Sequence, residues 1–260
     1  RAGRHLAVFD PSTGDMTLIG TCYGTHHLIF AEDEDNTLWT SGGGQVIGWL
    51  NTKLFLETGD EVLAQGWSPL VLDTNGNGRR DAYVEPGEPI DPSLDTRIRS
   101  GFYGVSVDPN DGSVWGSSLG MPGALLRFVP GDNPSETGLT EIYEVPWENP
   151  GASVQGYSPR GMDIARDGVV WTPLASGHLA SFDRSKCTGA LNGPEATGQH
   201  CPEGWTLFEE PLPKMKGITE SGSSEGSYYA WVDQFDTFGL GRDVPISTGN
   251  ASEALLALRD

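Results

Sequence analysis

The sequence predicts an all-β chain, a β-propeller of four-stranded antiparallel blades, and three observations carry that prediction. The first is a tryptophan-centred pattern that occurs three times. It reads His27-Leu28-Ile29-Phe30 before Asn36-Thr37-Leu38-Trp39-Thr40, then Gly104-Val105-Ser106-Val107-Asp108 before Gly112-Ser113-Val114-Trp115-Gly116, then Gly161-Met162-Asp163-Ile164 before Gly168-Val169-Val170-Trp171-Thr172. Each copy is a short apolar strand, an Asp/Asn/Gly turn, a second strand carrying Trp and a break of small residues. The second is a further strand after two of the copies, Gly123 to Phe128 and Gly177 to Asp183. The third is composition: 36 Gly and 18 Pro beside 37% hydrophobic residues suit many short strands joined by tight turns. Repeats in fixed order mean stacked or radial modules, and four short strands per module read as propeller blades.

The elements follow in order. His5 to Phe9 and Met16 to Ile19 flank a turn-rich stretch, Asp10 to Asp15, and form a hairpin. By comparison with later copies they are the last two strands of a partial blade, residues 1–20. A second blade spans 26–72 and is interrupted by an insertion over 53–98. A third spans 102–146, and a fourth spans 158–212 with an insertion at 187–204. A partial blade, 217–260, closes the chain, with Tyr228 to Val232 as its Trp strand. Ser252 to Leu258 contains strong helix formers behind a serine, yet the repeat predicts a third strand there, and the repeat is favoured. The chain thus holds about four blades of sheet. A four-bladed ring closed by the N-terminal strands is one arrangement, and part of a larger ring is the favoured one.

The formal charge of −20 argues against a nucleic-acid partner, because phosphates would be repelled. It favours a solvated surface and cation binding. No apolar run reaches the roughly 18–20 residues that span a bilayer. No signal peptide is visible, and Arg1 reads as a processing boundary. Cys187 and Cys201 bracket a polar insertion, and a disulfide there would stabilise the fold by about 3 kcal/mol and imply a secreted or periplasmic protein. The rival is a metal site of Cys187, His200 and Cys201, a poor tetrahedral set. Cys22 reads as a buried small hydrophobe.

Arg160-Gly161-Met162-Asp163-Ile164 followed by Asp167-Gly168-Val169-Val170-Trp171, with Pro159 ahead, resembles the blade motif of streptogramin lyase-like propellers, relatives of the NHL and YVTN repeats. Ala7 to Gly14 resembles the blade-closing hairpin of the same families. The resemblance implies a seven-bladed ring with a site on the central channel, and, in the lyase itself, a divalent metal with His and Glu. It does not extend to the two insertions.

Asp73-Thr74-Asn75-Gly76-Asn77-Gly78-Arg79-Arg80-Asp81 places oxygen ligands as the first part of an EF-hand calcium loop does. Asp73, Asn75, Asn77, Arg79 (through its carbonyl) and Asp81 are the candidate ligands. Val84 stands where the bidentate Glu is expected, and Glu85 or Glu88 would have to replace it. The rival is an Asn-Gly turn stabilised by its own side chains.

A second candidate site follows from propeller geometry, in which the first strand of each blade lines the channel. His27, Tyr103, Arg160 and Glu220 precede Trp39, Trp115, Trp171 and Trp231 by 12, 12, 11 and 11 residues. They are the candidate catalytic set, with His26 beside them. Arg160 would hold an anionic or carbonyl oxygen, and His27 or Glu220 would move a proton. The rival is a channel merely filled with water. His178 and His5 read as sheet-face residues, and Tyr228, Tyr229, Trp231, Phe235 and Phe238 read as core. Two functions follow. One is a metal-assisted lyase or other small-molecule enzyme working at the channel mouth. The other is a non-catalytic, calcium-stabilised scaffold presenting its loops to a protein or glycan.

Overall fold

The computed structural model describes residues 4–42 and 44–259, so Arg1, Ala2, Gly3, Gly43 and Asp260 of the segments above lie outside the described residues. The chain opens with an antiparallel hairpin, β1 (His5–Asp10) and β2 (Asp15–Gly20), whose register runs from His5↔Gly20 to Asp10↔Asp15. The Asp10 carboxylate accepts from the Ser12 N–H, and Gly14 supplies the positive φ that closes the turn. Three four-stranded meanders and a three-stranded one follow, and in each the strands pair in chain order.

The first meander is β3 (Leu28–Phe30), β4 (Thr37–Thr40), β5 (Val46–Asn51) and β6 (Gln65–Pro69). A short helix, α1 (Thr52–Thr58), joins its last two strands. Asn51 caps α1 through the Leu54 N–H, and left-handed Gly59 ends it. Next come three insertion strands, β7 (Val71–Leu72), β8 (Tyr83–Val84) and β9 (Asp95–Arg97). The second meander is β10 (Val105–Val107), β11 (Val114–Ser118), β12 (Ala124–Val129) and β13 (Leu139–Glu144), with α2 (Pro134–Thr137) before its last strand. The insertion strands join the outer edge of this second meander, through a parallel pairing of β7 with β13, and widen it to seven strands. The insertion therefore divides: α1 and β6 complete one sheet, and β7 to β9 cover the edge of the next.

The third meander is β14 (Asp163–Ile164), β15 (Val170–Leu174), β16 (His178–Phe182) and β17 (Trp205–Glu209); the last sheet is β18 (Ala230–Asp233), β19 (Val244–Gly249) and β20 (Ala254–Ala257). The C-terminal segment is thus a strand despite its helix formers, because β19 offers it a ladder from Ile246↔Ala257 to Gly249↔Ala254. β3 packs on β10, β10 on β14 and β14 on β18, so the innermost strands follow one another radially, in the order of propeller blades. The β1–β2 hairpin does not complete the last sheet. It forms its own sheet and packs Leu6 and Ile19 against Leu38, Leu50 and Phe55 of the first meander and α1.

The three repeat tryptophans occupy equivalent places: Trp39 pairs with Ile29, Trp115 with Ser106 and Trp171 with Asp163, each at the same register between first and second strand. Trp39 and Trp115 fill the spaces between consecutive sheets, among Phe102, Leu126 and Phe128 in one cluster and Tyr143, Phe182 and Trp205 in another. Trp231 differs. It lies on β18, the innermost strand of its sheet, and not on a second strand. The aromatic group around it is not core either, since Tyr229, Trp231, Phe235 and Phe238 are all exposed. No further sheet follows among the described residues to cover that face. Cys22 is exposed as well, contrary to expectation.

Cys187 and Cys201 are bonded, which removes both as thiolate ligands; His200 stacks instead on Tyr143, 5.4 Å between ring centroids. Beside them lies a buried ionic network. Glu141 accepts from Arg127 Nη1 at 3.1 Å, from Arg184 Nε and Nη2 at 2.7 Å, and from the Tyr143 hydroxyl at 2.6 Å. Burial alone would raise the Glu141 pKa, but the two guanidiniums outweigh it and hold the carboxyl below its ordinary value. This network ties the second meander to the start of the disulfide-closed insertion.

Asp163 joins three innermost strands. Its Oδ1 accepts from the Ser106 hydroxyl of β10 at 3.0 Å and from the Ile164 N–H at 2.9 Å, and its Oδ2 accepts from the Val232 N–H of β18 at 2.9 Å. Replacing Asp163 with Ala leaves these donors orphaned, and each buried orphan costs about 1–3 kcal/mol. Urea unfolding should show a loss of about 3 kcal/mol for Asp163→Ala and a smaller loss for Asp163→Asn. A loss within about 0.5 kcal/mol for the alanine variant would contradict this role.

Candidate functional site

All four innermost strands run in the same sense, so the residues leading into them gather at one mouth of the channel. His26 and His27 lead into β3, Tyr103 into β10, Arg160 into β14, and Tyr228 and Tyr229 into β18. Their rings form one cluster. His27 lies 4.9 Å from Tyr103, 5.6 Å from Tyr229 and 4.3 Å from His26, centroid to centroid. The Tyr103 and Tyr229 hydroxyls are 3.2 Å apart, and the Arg160 guanidinium sits 5.0 Å from the Tyr228 ring centre, a cation–π distance.

Of the four predicted residues, His27 and Tyr103 therefore meet directly, and Arg160 reaches them through Tyr228, whose ring lies 5.9 Å from that of Tyr103. Glu220 does not join them. It lies on the turn-rich segment after β17, where its carboxylate accepts the Thr219 N–H at 3.1 Å, and its place is taken by Tyr228 and Tyr229. The count back from Trp231 fails because that tryptophan is on a first strand, so the residue leading into the strand stands only two or three positions ahead of it.

Backbone contacts set the cluster. The Ser41 hydroxyl donates to the Tyr103 carbonyl at 2.6 Å and accepts from the His27 N–H at 3.1 Å, which couples the approaches to β3 and β10. Gly161 N–H donates to the Tyr228 carbonyl at 2.9 Å, and the Ala230 N–H returns to the Gly161 carbonyl at 3.3 Å. A Cβ at Gly161 would lie 2.3 Å from the Tyr229 ring, so this approach needs glycine.

The electrostatics follow from burial and pairing. Burial, then the neighbouring His26, pushes the His27 pKa below its ordinary value, and the half-buried His27 Nε2 has no hydrogen-bond partner. Burial also pushes the Tyr103 phenol up, reinforced by its contacts with Tyr228 and Tyr229. Tyr228 moves the other way: the Tyr103 hydroxyl and then Arg160 stabilise its phenolate. The mouth thus combines a neutral imidazole acceptor, an acidified phenol and a guanidinium, a set able to hold an oxyanion and move a proton. Beside it opens a cleft of about 1030 Å³ whose lining includes His26 and Tyr103 and, among the described residues, Arg4 and Arg99 as its only formal charges.

The donor set does not suit the divalent metal that the lyase resemblance implies. Among the described residues no carboxylate reaches the cluster, and no group of three or more His, Cys, Asp or Glu side chains is placed to hold a metal. The 73–81 loop is closed on itself. Asp73 accepts the N–H groups of Gly76, Asn77 and Gly78, and the Asn75 and Asn77 amides both donate to Asp81 Oδ2. The Arg79 N–H donates to Asn77 Oδ1, and Glu85 turns away to pair with Arg97 at 2.9 Å. Asp95, which the sequence reading missed, is buried beside the loop and accepts from the Thr74 and Asp81 N–H groups. His178, the first residue of β16, meets the Ser176 hydroxyl of the preceding turn, away from the mouth.

No family model and no curated protein matches the sequence. Among solved structures, the chain is similar to a protein of unknown function from Bacteroides caccae, at 10% identity and a TM-score of 0.45 over 99% of this chain and 66% of that one. It is similar to a gluconolactonase from Xanthomonas campestris, at 14% identity and a TM-score of 0.45 over 95% and 62%. The β-propeller domain of a Myceliophteria thermophila protein, Cps50, matches at 9% identity and a TM-score of 0.43 over 100% and 82%. The chain spans less than two thirds of the first two. Overlaps this loose say nothing about activity, and the streptogramin lyase-like resemblance stays confined to the blade motif.

A depressed His27 pKa has a definite thermodynamic sign. The unfolded chain takes up a proton near the ordinary imidazole value of about 6.5 before the folded site does, so stability falls as pH drops below that value and through the folded pKa. NMR titration should place the His27 pKa below 6.5, and His27→Gln should flatten the fall in melting temperature between pH 7 and 5.5. A His27 resonance titrating at or above 6.5 rejects the assignment.

Proposed function

We propose that this chain is an extracytoplasmic β-propeller, part of a larger ring, that binds a small molecule through an anionic or carbonyl oxygen at the mouth formed by His27, Tyr103, Arg160, Tyr228 and Tyr229. One observation carries the reading: in a chain of net charge −20, the leading ends of four strands converge on a guanidinium, two imidazoles and three phenols, beside a cleft lined, among the described residues, by arginine and no acid. Arg160 anchors the oxygen, which a guanidinium grips through two parallel N–H bonds. Neutral His27 accepts a proton and Tyr228 returns one, the division of labour that a lyase-type elimination requires. The Cys187–Cys201 bond supports a secreted or periplasmic setting.

The test is a thermal-shift and calorimetric screen of small carboxylates and lactones. Arg160→Ala should abolish binding of any hit and move the melting temperature by no more than a few degrees, whereas Glu220→Gln should bind as the parent does. His27→Ala should retain binding and lose turnover if the site is catalytic. An Arg160→Ala protein that binds every hit unchanged would falsify the reading.

The second reading is a scaffold whose insertions meet a protein or glycan. It is favoured by the contact between the two insertions, where the Gly193 N–H donates to the Asp73 carbonyl at 2.8 Å. A calcium in the 73–81 loop is part of that reading and requires Asn75 and Asn77 to turn their amide oxygens inward. Calcium titration with limited proteolysis decides it: chelation should expose residues 70–98 to cleavage and leave the sheets folded. Equal cleavage with and without chelator counts against the ion.

A further inference from the structure

The same strand polarity that gathers His27, Tyr103 and Arg160 at one mouth sends the trailing ends of the four innermost strands to the other. There the structure opens a cavity of about 670 Å³, a size typical of small-molecule sites. Three large aromatic side chains line it while standing in solvent: Phe30 is 53% exposed, Trp231 44% and Phe235 61%. Exposed apolar rings gathered in a concavity mark a surface made to be covered.

The charge of the lining says by what. It carries Glu32, Asp35 and Asp132 beside the rings and, among the described residues, no Lys, Arg or His. Asp35 and Asp132 form no salt bridge among the described residues. The molecule already seats one cation at the rim by the same means: the Arg166 guanidinium lies 5.1 Å from the Phe235 ring centre and 3.7 Å from the Glu32 carboxylate.

We propose that this second mouth binds an organic cation with an apolar body, an ammonium or guanidinium on a hydrocarbon or aromatic frame. The cationic head faces the ring of Trp231 or Phe30 and is neutralised by Asp35 and Asp132, while the body displaces water from the aromatic walls. The site is independent of the oxyanion mouth and stands whether or not that reading holds.

Titration of the full chain with phenethylammonium at low salt, read by calorimetry and tryptophan fluorescence, tests it. The uncharged 2-phenylethanol should bind at least tenfold more weakly, and 0.5 M NaCl should weaken the ammonium, since surface attraction is screened. Trp231→Ala and the pair Asp35→Asn with Asp132→Asn should each reduce affinity about tenfold. Glu220→Gln, which removes one carboxylate elsewhere, should not. If Trp231→Ala fails to fold, Phe235→Ala and the double asparagine variant carry the test with melting curves as controls. Equal binding of phenethylammonium and phenylethanol, no binding of phenethylammonium, or unchanged binding in the folded variants overturns the proposal.

Discussion

The innermost strands of radially arranged sheets expose axial edges that no ladder pairs, because each neighbour belongs to a different sheet. One carboxylate makes the connection here. Asp163 reaches from β14 to the Ser106 hydroxyl of β10 and to the Val232 backbone of β18, so three sheets share a single half-buried acceptor. Burial raises its pKa, and the backbone and hydroxyl donors work against that rise without cancelling it. A half-buried carboxyl held at this disadvantage persists only where its bonds fix something larger. What it fixes is the angular placement of neighbouring sheets, and with it the positions of the residues at either end of each innermost strand.

The oxyanion mouth inherits its geometry from that constraint. Once β14 and β18 are locked at Asp163, the two backbone bonds between Gly161 and the Tyr228–Ala230 segment continue the contact towards the mouth. Tyr228 then lies under Arg160 and Tyr229 against His27 and Tyr103. Between the first two meanders, the Ser41 hydroxyl does the same for His27 and Tyr103. The side chains of the mouth are thus held through backbone contacts of their leading segments, and their approach distances are set by neither the His nor the Tyr by itself.

Much of this was legible in the sequence where local rules repeat. The alternation around Trp39, Trp115 and Trp171 fixes a hairpin register, and register fixes which residue leads into each strand, so His27, Tyr103 and Arg160 could be found by counting. Glu220 could not, because the count presumed a strand ahead of Trp231. Residues 217–227 contain Ile218 as their one aliphatic residue larger than Gly, in a run of Gly, Ser, Thr and Glu. That is too polar for an innermost strand, a signal that β18 itself is the first. Burial of Tyr229, Trp231, Phe235 and Phe238 was misread for a different reason. A strand pattern states which face is apolar, and whether another sheet covers that face is a tertiary fact. The calcium-like loop shows the same limit, since spacing marks the ligand types and not whether Asp73 and Asp81 spend their oxygens on the loop's own donors.

The opposite charge of the two mouths has a local origin. The turn from first to second strand in each meander needs side chains that accept backbone N–H groups, and Asp does this best. Asp33 holds the Thr37 N–H, Asp108 the Asn110 N–H and Asp167 the Val169 N–H. Repeating that turn around an axis stacks the trailing ends with carboxylates, whether or not a ligand ever calls for them. The leading ends carry no such turn, so their residues are free to be His, Tyr and Arg. A field running along the channel therefore arises from turn chemistry multiplied by radial repetition. Asp35, inside the first of these turns, and Asp132, between β12 and β13, join no salt bridge among the described residues, which leaves their oxygens open to a ligand.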